Sequence, residues 1–378
     1  RVPKAVAEQS VTPDQQIMGY GMKAGLPVFS KARISRMDFP LAYSNAGLPF
    51  EAWRKQAREA YTASLQTPPP RTSFAPEILE IEKRAGYEAR KLAFNISADE
   101  RVAAYLLVPD GAGPFPAILA LHDHGAHFTI GKEKVIRPFA DEQEKLKDAQ
   151  AWTAACYDGK FIGDELAARG YVVFATDALF WGDRGRAEGA DYEAQQELGA
   201  NLLQLGQSWA GVITWDDMRS AEFLQGLTEV LPEKIGCIGL SMGAHRTWNL
   251  CAATDIAKAG AAICWLGDTP TLMDQGNNQT RGQSAFSMIH PGLRNLLDYP
   301  HVASIACPKP MLFFNGSEDA LFPVKGVEAS YAILQDVYES QGVSDRLNTR
   351  IWPVPHVFNE EMQTEAFAFL DKYLQDKE

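Results

Sequence analysis

A chain of 378 residues, 46% hydrophobic and 22% charged, has an ordinary folded composition and the length for one large α/β domain with insertions or two small domains. Its 36 basic against 48 acidic residues leave a formal charge of -12, which argues against nucleic acid as a partner. No run is apolar for long enough to cross a bilayer, so no membrane partner is expected.

Five cysteines, odd in number and without zinc-ligand spacing, read as small core residues, with one disulfide bridge left open. A chain opening on Arg1 is expected to have been trimmed, so a cytoplasmic or an exported location stays open. Nothing in the pattern fixes the oligomeric state.

Residues 1–75 read as an appendage packed on a main domain that runs from 76 to 378. They hold Gly19, Gly21, Gly25 and several prolines, one predicted helix from Phe50 to Arg58, and the breaker Pro68-Pro69-Pro70. Strands Tyr87 to Phe94 and Val102 to Val108 flank a polar turn, as in a hairpin. Phe115 to Leu121 is a buried strand that ends in His122-Asp123-His124-Gly125-Ala126-His127. A charge-rich insertion follows over Lys132 to Lys147, then a helix that stops at Gly170. Tyr171 to Asp177 reads as a strand and Asp216 to Val230 as a helix. Further strands are expected at 234–239, 261–266, 311–316 and 349–354, with helices over 327–339 and 360–375 and an irregular insertion over 268–308. The alternation of strands and helices predicts a mostly parallel, twisted sheet of about eight strands with helices on both faces. Asn95-Ile96-Ser97 and Asn278-Gln279-Thr280 fit the glycosylation triplet, a pattern common by chance.

The chemistry concentrates at Gly239-Leu240-Ser241-Met242-Gly243, between a short apolar strand and a helix. A strand that turns straight into a helix strains the serine backbone, and side chains at both flanking positions would collide, so both are glycine. The helix start aims free N–H groups and a positive dipole end at the same space. A serine needs a base, and the base needs an orienting acid. Asp319, after the 311–316 strand, and His356, after the last strand, complete the order Ser, acid, His. Glu318 and Asp268 are the other candidates for the acid. The Met242 and Ala126 N–H groups are the expected oxyanion donors. His124, Trp181 and Trp265 are candidates for substrate contact, the tryptophans reading equally as core, and Asp183-Arg184 reads as a structural ion pair or turn.

This set resembles the α/β-hydrolase superfamily, and more narrowly the bacterial acetyl-xylan-esterase-like and dienelactone-hydrolase-like serine esterases. The residues that carry the resemblance are Leu121 to Gly125, Gly131-Lys132-Glu133-Lys134, Thr176-Asp177-Ala178, Trp181 to Arg184, Gly239 to Gly243 and Gly316 to Pro323. It implies an α/β-hydrolase fold and a serine-dependent carboxylic ester hydrolase working through an acyl-enzyme on a small-molecule ester, with an acetylated carbohydrate as one candidate. Dienelactone hydrolases proper use cysteine where this chain has Ser241, which favours ordinary esters. The reading needs no cofactor and no resident metal. Two rivals differ in kind: a zinc hydrolase built on His122, His124 and His127, and a non-catalytic binding module with a hydrolase-like surface.

Overall fold

In the computed structural model, residues 29–186, 188–273 and 286–375 are described. The triplet at Asn278 and part of the insertion over 268–308 lie outside them, as do Gly19, Gly21 and Gly25. The nine strands are β1 (Glu77–Arg84), β2 (Tyr87–Asn95), β3 (Arg101–Pro109), β4 (Phe115–Leu121), β5 (Val172–Thr176), β6 (Val230–Leu240), β7 (Ala259–Ile263), β8 (Met311–Gly316) and β9 (Leu347–Trp352). They form one sheet in the order β1-β2-β3-β5-β4-β6-β7-β8-β9. β1 to β3 are an antiparallel meander and β3 pairs antiparallel with β5. All pairings from β5 to β9 are parallel.

The sheet has one strand more than expected. Glu77–Arg84 mixes apolar and charged residues without strict alternation, as an edge strand it leaves Ile78, Leu79 and Ile81 exposed, and it falls before the hairpin. The chain passes from β4 outward to β5 and then back across β4 to β6. That reversal is a topological switch point, and in open α/β sheets the ligand crevice lies at the carboxyl ends of the strands that flank it, here β4 and β6.

Helices cover both faces. They are α1 (Phe50–Ser64), α2 (Gln143–Cys156), α3 (Ile162–Ala168), α4 (Tyr192–Gln204), α5 (Trp209–Gln225), α6 (Met242–Ala253), α7 (Tyr299–Ser304), α8 (Val324–Ser340) and α9 (Glu360–Leu374). The strand period of two sorts side chains between two cores. Val172, Phe174, Met311 and Phe313 face α1, α5, α6 and α8, whereas Val173, Ala175, Leu312 and Phe314 face α3 and α9. α5 starts seven residues before the predicted Asp216, because the Ser208 hydroxyl accepts the Gly211 N–H and caps it there. Among the described residues no helix is long and apolar enough to cross a membrane. All five cysteines are free; Cys237 and Cys251 stand with their sulfurs 3.5 Å apart.

α1 runs six residues past the predicted end. Trp53, Ala57 and Tyr61 recur every four residues along one face and all enter the larger core. Arg58 Nε donates to the Ala252 carbonyl at 2.8 Å, and Arg54 and Arg58 both pair with Asp255, which pins α1 across the end of α6. Trp53→Ala is therefore expected to cost about 3–5 kcal/mol of global stability. Urea unfolding of the sheet would show it; an unchanged midpoint would mean that α1 adds nothing to the core.

Candidate active site

Ser241 is the first residue past β6. Its backbone sits at φ 56, ψ -123, a conformation that L-residues rarely adopt, and its N–H donates to the Ile263 carbonyl at 2.8 Å. The flanking glycines are required for a reason slightly different from the expected one. A Cβ at Gly239 would lie 2.4 Å from the Leu121 carbonyl oxygen and 2.5 Å from the Gly243 backbone. A Cβ at Gly243 would lie 2.0 Å from the same Leu121 oxygen. The obstacle is backbone, the end of β4 pressed against the turn, rather than other side chains. Backbone cannot swing away as a flexible side chain could.

Asp319 and His356 are brought together. Asp319 Oδ2 stands 2.6 Å from His356 Nδ1, and its Oδ1 accepts the Leu321 N–H at 2.9 Å. The carboxylate is sealed from solvent while the imidazole is 25% exposed. Gly316 permits this approach: a Cβ there would lie 2.2 Å from the Val354 carbonyl oxygen, so the loop after β9 folds directly over the end of β8. The Phe322 ring stacks against His356, centroids 6.2 Å apart. Of the other acids, Glu318 is exposed, and Asp268 caps the short helix Thr269–Leu272 by accepting the Thr271 N–H.

The loop after β4 answers the zinc alternative. His122 is fully buried; its Nε2 accepts the Ala178 N–H at 2.9 Å and its Nδ1 faces the Asp123 carbonyl at 2.9 Å. Burial first, then Arg246 and Lys134, push its pKa well below the usual histidine range, so the ring is neutral. His124 Nδ1 accepts the Ala126 N–H at 2.9 Å. His127 Nε2 lies 2.7 Å from Asp148 and its ring stacks on Trp152. The three imidazoles turn to three different partners. Among the described residues the side chains whose ligand atoms converge are Cys264, Asp319 and His356, and separately Glu133, Asp177 and Asp183.

The same contacts correct one oxyanion assignment. The Ala126 N–H is spent on the His124 ring. Trp181 and Trp265 are both buried. Trp181 donates to the His124 carbonyl at 3.1 Å and packs on Phe128, while Trp265 packs among Trp248, His245, Tyr299 and Phe322. They are core positions behind the loops rather than walls of an open cleft, and His124 is buried beside Trp181.

What the sequence reading missed is the buried charge under this crevice. Lys132, Glu133 and Lys134 open the charge-rich insertion, and all three are fully buried. Lys132 Nζ donates to Glu133 at 2.8 Å, Asp177 at 2.9 Å and Asp183 at 2.6 Å. The Asp177 carboxylate also accepts the N–H groups of Lys132 and Asp183, wedged where a Cβ at Gly131 or Gly182 would touch it. Lys134 Nζ donates to the carbonyls of Asp123 and His124, each at 3.0 Å, and sits 3.4 Å from the Asp123 carboxylate. That carboxylate also takes the Trp152 N–H and the Tyr157 hydroxyl. The available signal was the match of these residues to the resemblance, not their polarity. Asp183 and Arg184 are structural, as expected: Arg184 pairs with Glu100 and Asp216.

Comparison with known proteins places the chain. The model of the Abhydrolase family matches residues 30–345. The chain belongs to the Abhydrolase family. YtaP of Bacillus subtilis (strain 168), which carries a provisional hydrolase name, is 28% identical over 323 residues, 85% of this chain and 100% of that one. Solved structures share the α/β-hydrolase fold. A Bacteroides fragilis NCTC 9343 protein provisionally named an acetyl xylan esterase superposes with a TM-score of 0.62 at 18% identity, covering 85% of this chain and 81% of its own. A glucuronoyl esterase from Solibacter usitatus has a TM-score of 0.62 at 16% identity, with 84% and 91% covered. Acetyl xylan esterase 1 from Thermoanaerobacterium sp. JW/SL YS485 has a TM-score of 0.55 at 14% identity, with 86% and 94% covered.

The buried charge of this Abhydrolase-family chain carries a pH signature. Burial by itself would raise the Glu142 carboxyl, but Lys91, Tyr105 and Lys145 outweigh it and hold the group at about 2, below its ordinary 4.5. A depressed carboxyl adds its stability in full above its ordinary value and loses it as pH falls through the folded one. The urea midpoint is expected to drop between pH 4.5 and pH 2. Glu142→Gln, which has no such proton to take up, is expected to flatten that slope; equal slopes would remove Glu142 from the account.

Proposed function

We propose that the protein is a serine-dependent carboxylic ester hydrolase. The observation that carries this reading is the 2.6 Å pairing of His356 with a sealed Asp319, at the sheet edge that also holds the strained Ser241. Asp319 holds Nδ1–H, which leaves Nε2 to take the serine proton. Ser241 Oγ then adds to the ester carbonyl, and the imidazolium returns its proton to the leaving alcohol. Water enters by the same base and releases the acid from the acyl-enzyme.

The negative oxygen formed on the way needs preorganised donors. Met242 N–H, at the start of α6, is one, since the first N–H groups of a helix lack intrahelical acceptors. For the second we replace Ala126 with His124. The carbonyls of Asp123 and His124 both turn toward Lys134. In a trans peptide the N–H points opposite to its carbonyl, so the His124 N–H is turned away from the lysine. Lys134 acts as a positioning residue for that donor.

The substrate class favoured is a small acyl ester, with an acetylated carbohydrate as the leading candidate. Support comes from the names of the fold neighbours, which include acetyl xylan and glucuronoyl esterases.

Ser241→Ala is expected to lower turnover of nitrophenyl acetate by roughly 10⁴-fold or more, and to abolish fluorophosphonate labelling. Wild-type protein that is folded yet unlabelled would favour the binding-module reading. Lys134→Met is expected to lower kcat by up to about 100-fold with little change in KM, in line with the loss of one oxyanion donor. Lys134→Arg, which keeps the charge, should recover part of it. A thermal unfolding profile run beside the kinetics separates this from collapse of the loop; unchanged kcat in folded Lys134→Met would remove the lysine from the reaction.

A further inference from the structure

We propose that Cys264, Asp319 and His356 form a site for one soft divalent cation, Zn²⁺ or Cd²⁺, whose occupation switches the catalytic base off. The consequence for turnover rests on the esterase reading above; the site itself does not.

Cys264 is the first residue past β7, in a left-handed conformation at φ 57. Its N–H donates to the Phe314 carbonyl at 2.7 Å, while the carbonyl of the preceding Ile263 takes the Ser241 N–H. One bend thus ties the serine turn to the strand that bears the acid. It delivers the Cys264 sulfur to within 4.8 Å of ligand atoms on both Asp319 and His356. The proposed hydrolysis makes no use of this thiol, which donates to the Val357 carbonyl at 3.5 Å. An ordinary thiol is mostly protonated at neutral pH, so without a metal it carries its proton.

A thiolate, an imidazole and a carboxylate are a donor set that zinc and cadmium accept, with the fourth position left to water. The imidazole is 25% exposed, which provides the open side. Zinc bonds of about 2.0–2.3 Å put tetrahedral ligand atoms about 3.2–3.8 Å from one another, so the sulfur, within 4.8 Å of the others, closes by about 1 Å, while the Asp319 oxygen and His356 Nδ1, now 2.6 Å apart, part by at least about 0.6 Å to admit the ion. The second acidic group, Glu133 with Asp177 and Asp183, differs in kind: the ammonium groups of Lys132 and Lys145 already fill it.

The proton balance explains the switch. The ion bonds Sγ, and the thiol proton leaves to solvent. It bonds the imidazole at Nδ1 and takes over the Asp319 oxygen that faced it, so the Nδ1 proton moves to Nε2. One proton is released in all. The nitrogen that should receive the serine proton then already carries one.

The test is a Cd²⁺ titration of the full chain, followed by the sulfur-to-cadmium charge-transfer absorbance and by ester turnover. A band that saturates at one equivalent, with turnover falling at least about tenfold and returning with chelator, is expected. Cys264→Ala should lose the band and keep its turnover at the same Cd²⁺ concentration. His356→Ala, read by the band and not by turnover, should bind at least about tenfold more weakly. No band, a band unchanged in Cys264→Ala (which would point to the Cys237–Cys251 pair), or undiminished affinity in His356→Ala would each overturn the proposal. Full turnover by Ser241→Ala would sink the esterase reading, while the band would still decide the metal site.

Discussion

The carbonyl oxygen of Leu121 sets the position of everything else at the crevice. It ends β4 and points into the turn after β6, where Cβ atoms at Gly239 and Gly243 would lie 2.4 and 2.0 Å from it. Two missing side chains let the serine turn press against the neighbouring strand. That closeness fixes the start of α6 beside the loop that begins at His122. For the proposed hydrolysis a fixed separation between the serine and that loop matters, because misplacement by a fraction of an ångström weakens every directional interaction in a transition state. Close packing of backbone on backbone is a stiff way to hold such a separation.

The same loop is held from below by charge. Lys134 and Lys132 are taken wholly out of water, a cost offset only when each ammonium finds its full set of acceptors. Lys134 finds two carbonyls and the Asp123 carboxylate; Lys132 finds three carboxylates. Such groups contribute little net stability, but they tolerate very few alternative arrangements. A loop fixed in this way keeps its peptide planes turned in one direction. At the other end of the crevice, Gly316 lets the loop after β9 close over β8, so the acid is sealed and only the imidazole reaches solvent.

Much of this was legible in the chain as written. Short apolar runs such as 311–316 identified buried strands, because a strand covered on both faces has no polar side to show. The glycine-flanked serine between a strand and a helix was legible because only that backbone bend needs two glycines at that spacing. The order of Ser241, Asp319 and His356 followed from the order of strands in a parallel sheet. The burial of residues 132–134 was not legible because solvated and buried lysines are spelled alike, and only the partners tell them apart. Ala126 was misassigned for a similar reason. Nothing in His-Gly-Ala says that a side chain two residues back will take the amide hydrogen. β1 escaped notice because an edge strand exposes apolar residues on a face that pattern reading expects to be polar.

The sequence by itself determined the local rules: which runs are strands, where the backbone must bend, and which residue types can move a proton. These depend on neighbours within a few positions, and chain order preserves them. The tertiary structure decided which acid meets His356, and that Cys264 stands beside the acid and the imidazole. Those outcomes depend on atoms brought together from residues 37 positions apart in the Asp319–His356 pair, and further apart for Cys264, over distances of a few ångströms that only the folded sheet defines.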